Sequence, residues 1–280
     1  QRQMCIRDRY HAHAVWMLMD TGIEGRVYNE YWMGNFLGYW LAPRLEMFVN
    51  GSLNVPKALM QASHDIRARR ADGEGRSMSE QLDRHGVDVF LGTGVPVMPP
   101  PGRPLADTTR HVQGTPGWVP IFRNLQSAVH LRDAPRNRPA LARVRDWYAE
   151  QGVPFDPSVG FEPLVVVRAA PEWSVAHGLI PVDFAGLEAA ARRAAPGTRE
   201  VAQDRLASIH ALLGDYDGAV AIDEDLLRMR PRAVGVARRL VWSLLQAGRI
   251  AEAGEATDRL ASISPPDDAF SHRLVEAVRA

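Results

Sequence analysis

The chain has 280 residues, 46% of them hydrophobic, which excludes a disordered polymer and allows about two domains. Lysine plus arginine and aspartate plus glutamate balance at 33 each, so the basic excess of a nucleic-acid binder is missing. Cys5 is the sole cysteine, which rules out an intramolecular disulfide.

Residues 1–9 resemble a translated sequencing adapter, so native sequence is expected to begin near Tyr10, with Cys5 belonging to the non-native stretch. Residues 11–21 carry helical spacing in Ala14, Val15, Leu18 and Met19 and stop before Gly22. A strand at 26–28, an aromatic helical segment at 32–40 and a strand at 47–49 follow. Helical periodicity resumes at 56–70. Ser77 and Glu80 then have capping-box spacing for a helix to His85, before a third strand at 87–91. A proline-rich loop spans 96–104, and strands at 119–122 and 128–131 flank a hairpin connection. These elements predict an α/β domain over 10–133, whose strands and helices lie within 20–133.

A linker is expected at 134–139 and a helical region at 140–199, opened by a helix over 141–151 with Val144, Trp147 and Tyr148 on one face. From 200 to 280 the chain repeats with a period of 34: Leu206, Gly214, Ala219, Leu226 and Pro231 recur as Leu240, Gly248, Ala253, Leu260 and Pro265. Glycine suits the turn between paired helices, alanine their close approach, and proline the stop of the second helix. Residues 267–279 would supply a capping helix. The fold class read from this pattern is α+β: a small α/β domain followed by an all-α helical repeat array.

Leu213-Gly214-Asp215-Tyr216-Asp217-Gly218-Ala219 and Ala247-Gly248-Arg249-Ile250-Ala251-Glu252-Ala253 resemble the turn of the tetratricopeptide family over about 200–267. The pattern departs at Asp223, Thr257, His210 and Leu244, where the family often has aromatics. That resemblance implies a protein partner held by the repeats.

The order Gly25-Arg26-Val27-Tyr28-Asn29-Glu30-Tyr31, Gly34, Phe36-Leu37, Pro43 and Phe48-Val49-Asn50-Gly51 resembles the region after the last membrane helix of bacterial C-class integral-membrane glycosyltransferases. His85-Gly86-Val87-Asp88-Val89-Phe90-Leu91 and the hairpin at 118–131 extend the resemblance over about 10–133. Met33-Gly34-Asn35-Phe36 and Asn50-Gly51-Ser52 depart from the family's Trp-Gly-Gly-Tyr and Asp-Gly-Arg. The second departure removes a carboxylate and a guanidinium, and with them charge-assisted bonds. The resemblance implies the extracytoplasmic, membrane-proximal tail of a truncated lipid-phosphate sugar transferase, on the outer face of a bacterial inner membrane.

Asn29, Glu30 and Asn50, at the ends of the first two strands, are the ligand-binding candidates, because open α/β sheets bind ligands there. Turn formation accounts for the two asparagines almost as well. His11 and His13 lack metal-ligand spacing, and no catalytic residue, metal site or cofactor is assigned. Gly92-Thr93-Gly94 lacks the later glycine and lysine of a phosphate loop. Trp32, Tyr39, Trp40, Trp118, Trp147 and Trp173 are expected to serve core packing rather than sugar stacking. The expected function is non-catalytic interaction or scaffolding. Two alternatives stand beside it: a contribution of the α/β domain to lipid-linked sugar transfer, and a free-standing repeat protein. No run reaches the about 18–20 apolar residues of a membrane span.

Overall fold

A computed structural model describes residues 11–52, 54–95 and 107–279, so residues 1–9 and the proline-rich loop at 96–104 lie outside the described residues. The described residues form a mixed α+β structure in two compact units, 11–179 and 180–279.

The first unit opens with α1 (Ala12–Asp20), whose Ala14, Val15 and Leu18 are buried and which ends ahead of Gly22 in the left-handed region. β1 (Gly25–Tyr28) follows, then a 3-10 turn (Tyr31–Met33), α2 (Gly34–Leu41) and β2 (Leu45–Met47). Next come α3 (Lys57–Arg67), α4 (Met78–Arg84) and β3 (Val87–Thr93). The capping box expected at α4 is present: Ser77 Oγ accepts from the Glu80 N–H while the Glu80 carboxylate accepts from the Ser77 N–H. β4 (Trp118–Arg123) and β5 (Ser127–Arg132) make the hairpin, followed by α5 (Arg138–Glu150), α6 (Pro163–Ala169) and α7 (Pro171–Ala176).

Among the described residues the sheet has five strands in the order β2-β1-β3-β5-β4. β1 runs parallel to both β2 and β3, and β5 antiparallel to β3 and β4. All of β3 is buried, as a central strand covered on both faces should be. One core cluster joins Tyr28, Phe48, Ile66, Leu82 and Phe90, with the Tyr28 and Phe90 rings stacked at 4.6 Å. Tyr148 on α5 stacks on Phe161 and donates its hydroxyl to the Ile121 carbonyl at 2.7 Å. That bond fastens α5 to β4, so 140–179 belongs to the compact unit of the sheet, and the division falls between Leu179 and Ile180 rather than at 134–139.

The second strand is also displaced from 47–49 to Leu45–Met47. Phe48 and Val49 are apolar because they are buried in the core; the Phe48 N–H is shared between the Val27 carbonyl of β1 and the Asn29 side chain, and the Val49 carbonyl goes to Asn29, so the ladder ends there.

The second unit contains α8 (Phe184–Arg193), α9 (Pro196–Leu213), α10 (Tyr216–Met229), α11 (Val234–Gln246), α12 (Ile250–Ile263) and α13 (Ala269–Arg279), each packed on the next. α10 and α12 have the same length, offset by 34 at both ends. Gly214 and Gly248 both lie in the left-handed region, at φ 87° and 73°, where an L side chain is strained. Ala219, Ala253, Leu226 and Leu260 are buried, as are Leu206 and Leu240, while Pro231 and Pro265 are exposed beyond the helix ends. No described helix is long and apolar enough to cross a membrane.

Candidate functional site

From β1 the chain passes to β2 on one side and then to β3 on the other, so the strand order reverses at the carboxyl ends of β1 and β3. Such a reversal of strand order is where open α/β sheets bind ligands. Asn29 and Glu30 follow β1 at this point; Thr93 ends β3.

The three residues expected to bind ligand are in three different situations. Asn29 is fully buried and its amide is consumed: Nδ2 donates to the carbonyls of Glu30 (2.9 Å) and Val49 (2.8 Å), and Oδ1 accepts from the Phe48 N–H (3.1 Å). It ties the end of β1 to the segment after β2. Asn50 is exposed, and its Oδ1 accepts from the backbone and hydroxyl of Ser52, a local turn. Glu30 remains, 6% exposed, with its Oε2 at 3.5 Å from the Arg67 guanidinium. Burial pushes its carboxyl above the ordinary value, against the pull of Arg67, a hydrogen bond with Thr108 and nearby His64.

Thr108 is built into the site by β3. Its hydroxyl accepts from the Thr93 N–H at 2.9 Å, and its own N–H donates to the Thr93 carbonyl at 2.8 Å. Gly92 permits this approach, since a Cβ there would lie 2.5 Å from the Thr108 carbonyl oxygen. The Thr93 N–H is therefore occupied by Thr108, and Gly92-Thr93-Gly94 is a strand end that seats Thr108.

The residues beside Thr108 are buried polar groups too. Asp107 pairs with Arg110 at 3.1 Å, and the His111 Nε2–H donates to the Arg67 carbonyl at 2.8 Å. Burial lowers the His111 pKa to about 4, which keeps the ring neutral. His111 thus anchors the backbone of the residue whose guanidinium faces Glu30. Arg67, Thr108 and His111 carried no local signal in the sequence; a polar run after a proline-rich stretch reads as solvated loop, and here five consecutive residues, 107–111, are buried.

A buried carboxyl with a raised pKa, beside a half-exposed guanidinium at the strand ends, can exchange a proton with a ligand while the guanidinium holds an anionic group. Among the described residues no cluster of three or more His, Cys, Asp or Glu could hold a metal ion. His11 and His13 diverge: the first sits by Trp32, the second by His177. The aromatic residues divide as well. Trp118 is core, as expected, but Trp32, Tyr39 and Trp40 are exposed, because α2 buries its opposite face through Leu37 and Leu41.

In the helical unit two of the four positions departing from the tetratricopeptide pattern, Asp223 and Thr257, are wholly buried. Asp223 takes three hydrogen bonds from Arg239, and the Thr257 hydroxyl donates to the Ala253 carbonyl at 2.6 Å. His210 Nδ1 lies 2.6 Å from the Asp215 carboxylate, and Leu244 is core.

No family model matches the chain, and neither a curated protein nor a solved structure matches it.

Proposed function

We propose that the chain is a non-catalytic interaction protein whose helical region is a tetratricopeptide-like array binding a protein partner. The observation that supports this most is the recurrence, at 34 residues, of the same helix ends, left-handed glycines and buried alanines. A one-dimensional stack of helix pairs presents an extended surface suited to peptide or protein recognition. Val201 and Arg205 are exposed on α9, where Arg205 pairs with Asp183 at 3.0 Å. The paired substitution Val201→Asp with Arg205→Glu should abolish capture of a purified partner identified by cross-linking to the helical unit, while Glu30→Ala leaves capture intact. Capture lost only with Glu30→Ala would sink the reading.

A second reading is favoured by the Glu30 site. Here the α/β unit contributes to transfer from a lipid-linked sugar phosphate, with Arg67 holding the phosphate and Glu30 handling the proton. Asn29 drops out of this version because its amide is consumed by the fold, and Asn50 because its Oδ1 closes a local turn with Ser52.

A further inference from the structure

A second feature of the sheet unit lies among α1, α5 and α7: a cavity of about 480 Å³. That volume suits a small organic molecule. Its walls include the indoles of Trp16 and Trp147, the thioether of Met17 and the imidazoles of His13 and His177, with the carboxylates of Asp20 and Glu150. No lysine or arginine lines it.

The polar groups around this cavity are biased towards accepting. His177 Nδ1 lies 2.8 Å from the Trp173 carbonyl, which can only accept, so Nδ1 carries the proton and the neutral ring keeps its other nitrogen as an acceptor. Stacking at 3.8 Å on Trp173 holds the ring in place, and burial lowers its pKa. The Gln151 amide accepts from the Trp173 indole and donates one N–H to the Trp147 carbonyl, which fixes its orientation. Two carboxylates, one imidazole lone pair and two indole faces all attract positive charge.

We infer that this cavity binds a small organic cation bearing N–H groups, a primary alkylammonium in the simplest case. The indoles receive its charge and alkyl chain, and Asp20 and Glu150 accept its N–H bonds. A neutral sugar would also stack on indoles, but it carries no positive charge for the two carboxylates to meet. A quaternary ammonium would satisfy the indoles and leave the carboxylates without a bond.

Calorimetric titration of the full chain with n-butylammonium chloride, near neutral pH and at constant ionic strength, tests this. The expected result is saturable binding at one site, with tetramethylammonium at least about tenfold weaker, the worth of one charge-assisted bond. The double variant Asp20→Asn, Glu150→Gln should lose at least about tenfold in affinity for butylammonium. Both side chains are exposed, so its melting curve should overlay that of the unaltered chain. Absence of saturable binding, binding that the double variant leaves unchanged, or glucose binding more tightly than butylammonium would each overturn the inference.

Discussion

The sheet unit and the helical unit draw the partners of their buried polar groups from different kinds of segment. In the sheet unit the bonds reach far along the chain: Asn29 to Val49, Tyr148 to Ile121, and Arg136 and Asn137 to Asp88, 48 and 49 residues away. In the helical unit they close within a helix, as Thr257 does onto Ala253, or join helices about one repeat apart: Arg239 reaches Asp223, Ser208 and Asp204, 16, 31 and 35 residues away, and Arg259 the Leu227 carbonyl, 32 away. A periodic stack needs only the right residue at each repeated position, whereas the sheet needs particular partners brought together from distant segments. The first kind of order survives many substitutions; the second has single points of failure.

The sharpest way to break that contrast is Asn29→Ala. It removes three hydrogen bonds inside the sheet unit and strands the Val49 carbonyl, so it should cost about 4 kcal/mol in a urea titration. A loss under about 1 kcal/mol would mean that water replaces the amide and the sheet unit is as tolerant as the helices.

Acid should separate the two regions next. His11 and His111 are held by burial near a pKa of about 4 and His130 near about 3, all below the ordinary 6.5. Their neutral forms stabilise the sheet unit fully above pH 6.5, and that stabilisation is lost as pH falls through the folded values. Asp223 has the reverse sign: burial, opposed by Arg239, pushes it up to about 6, so its contribution is complete below 3.8 and is lost as pH rises through 6. Hydrogen exchange followed from about pH 7 to about pH 4.5, after correction for intrinsic rates, should show protection failing first in β3, β4 and β5. Equal loss in α10 and α11 would refute the distinction.

The smallest effect is expected at Gly248→Ala, where the added Cβ meets no atom within 4 Å but the backbone sits at φ 73°. The cost should be about 1 kcal/mol, all of it conformational. A loss above about 3 kcal/mol in thermal melts would show that the turn is packed against something and that periodicity understates the helical unit's specificity.

Legibility from sequence follows the same division. The helix ends after 200, the capping box at Ser77 and all five strands were readable, because local periodicity and turn chemistry report them directly. The strand at Leu45–Met47 was misplaced because Phe48 and Val49 are apolar for burial, while the ladder ends where their backbone meets the Asn29 side chain. At the candidate site Glu30 was legible from its place after β1. Thr108, Arg67 and His111 were not, since only the folded β3 and α3 bring them to it.

The strand order also decides how this sheet meets other chains. Its outer strands are β2, three residues long, and β4, which contains Pro120. The Pro120 carbonyl already accepts from the Phe161 N–H at 2.7 Å, and Gly160 lies so near that a Cβ there would approach the same oxygen to 2.5 Å. A short border on one side, and a proline with an occupied carbonyl on the other, leave little template for an added strand. The sheet is thereby guarded against edge-to-edge growth into aggregates.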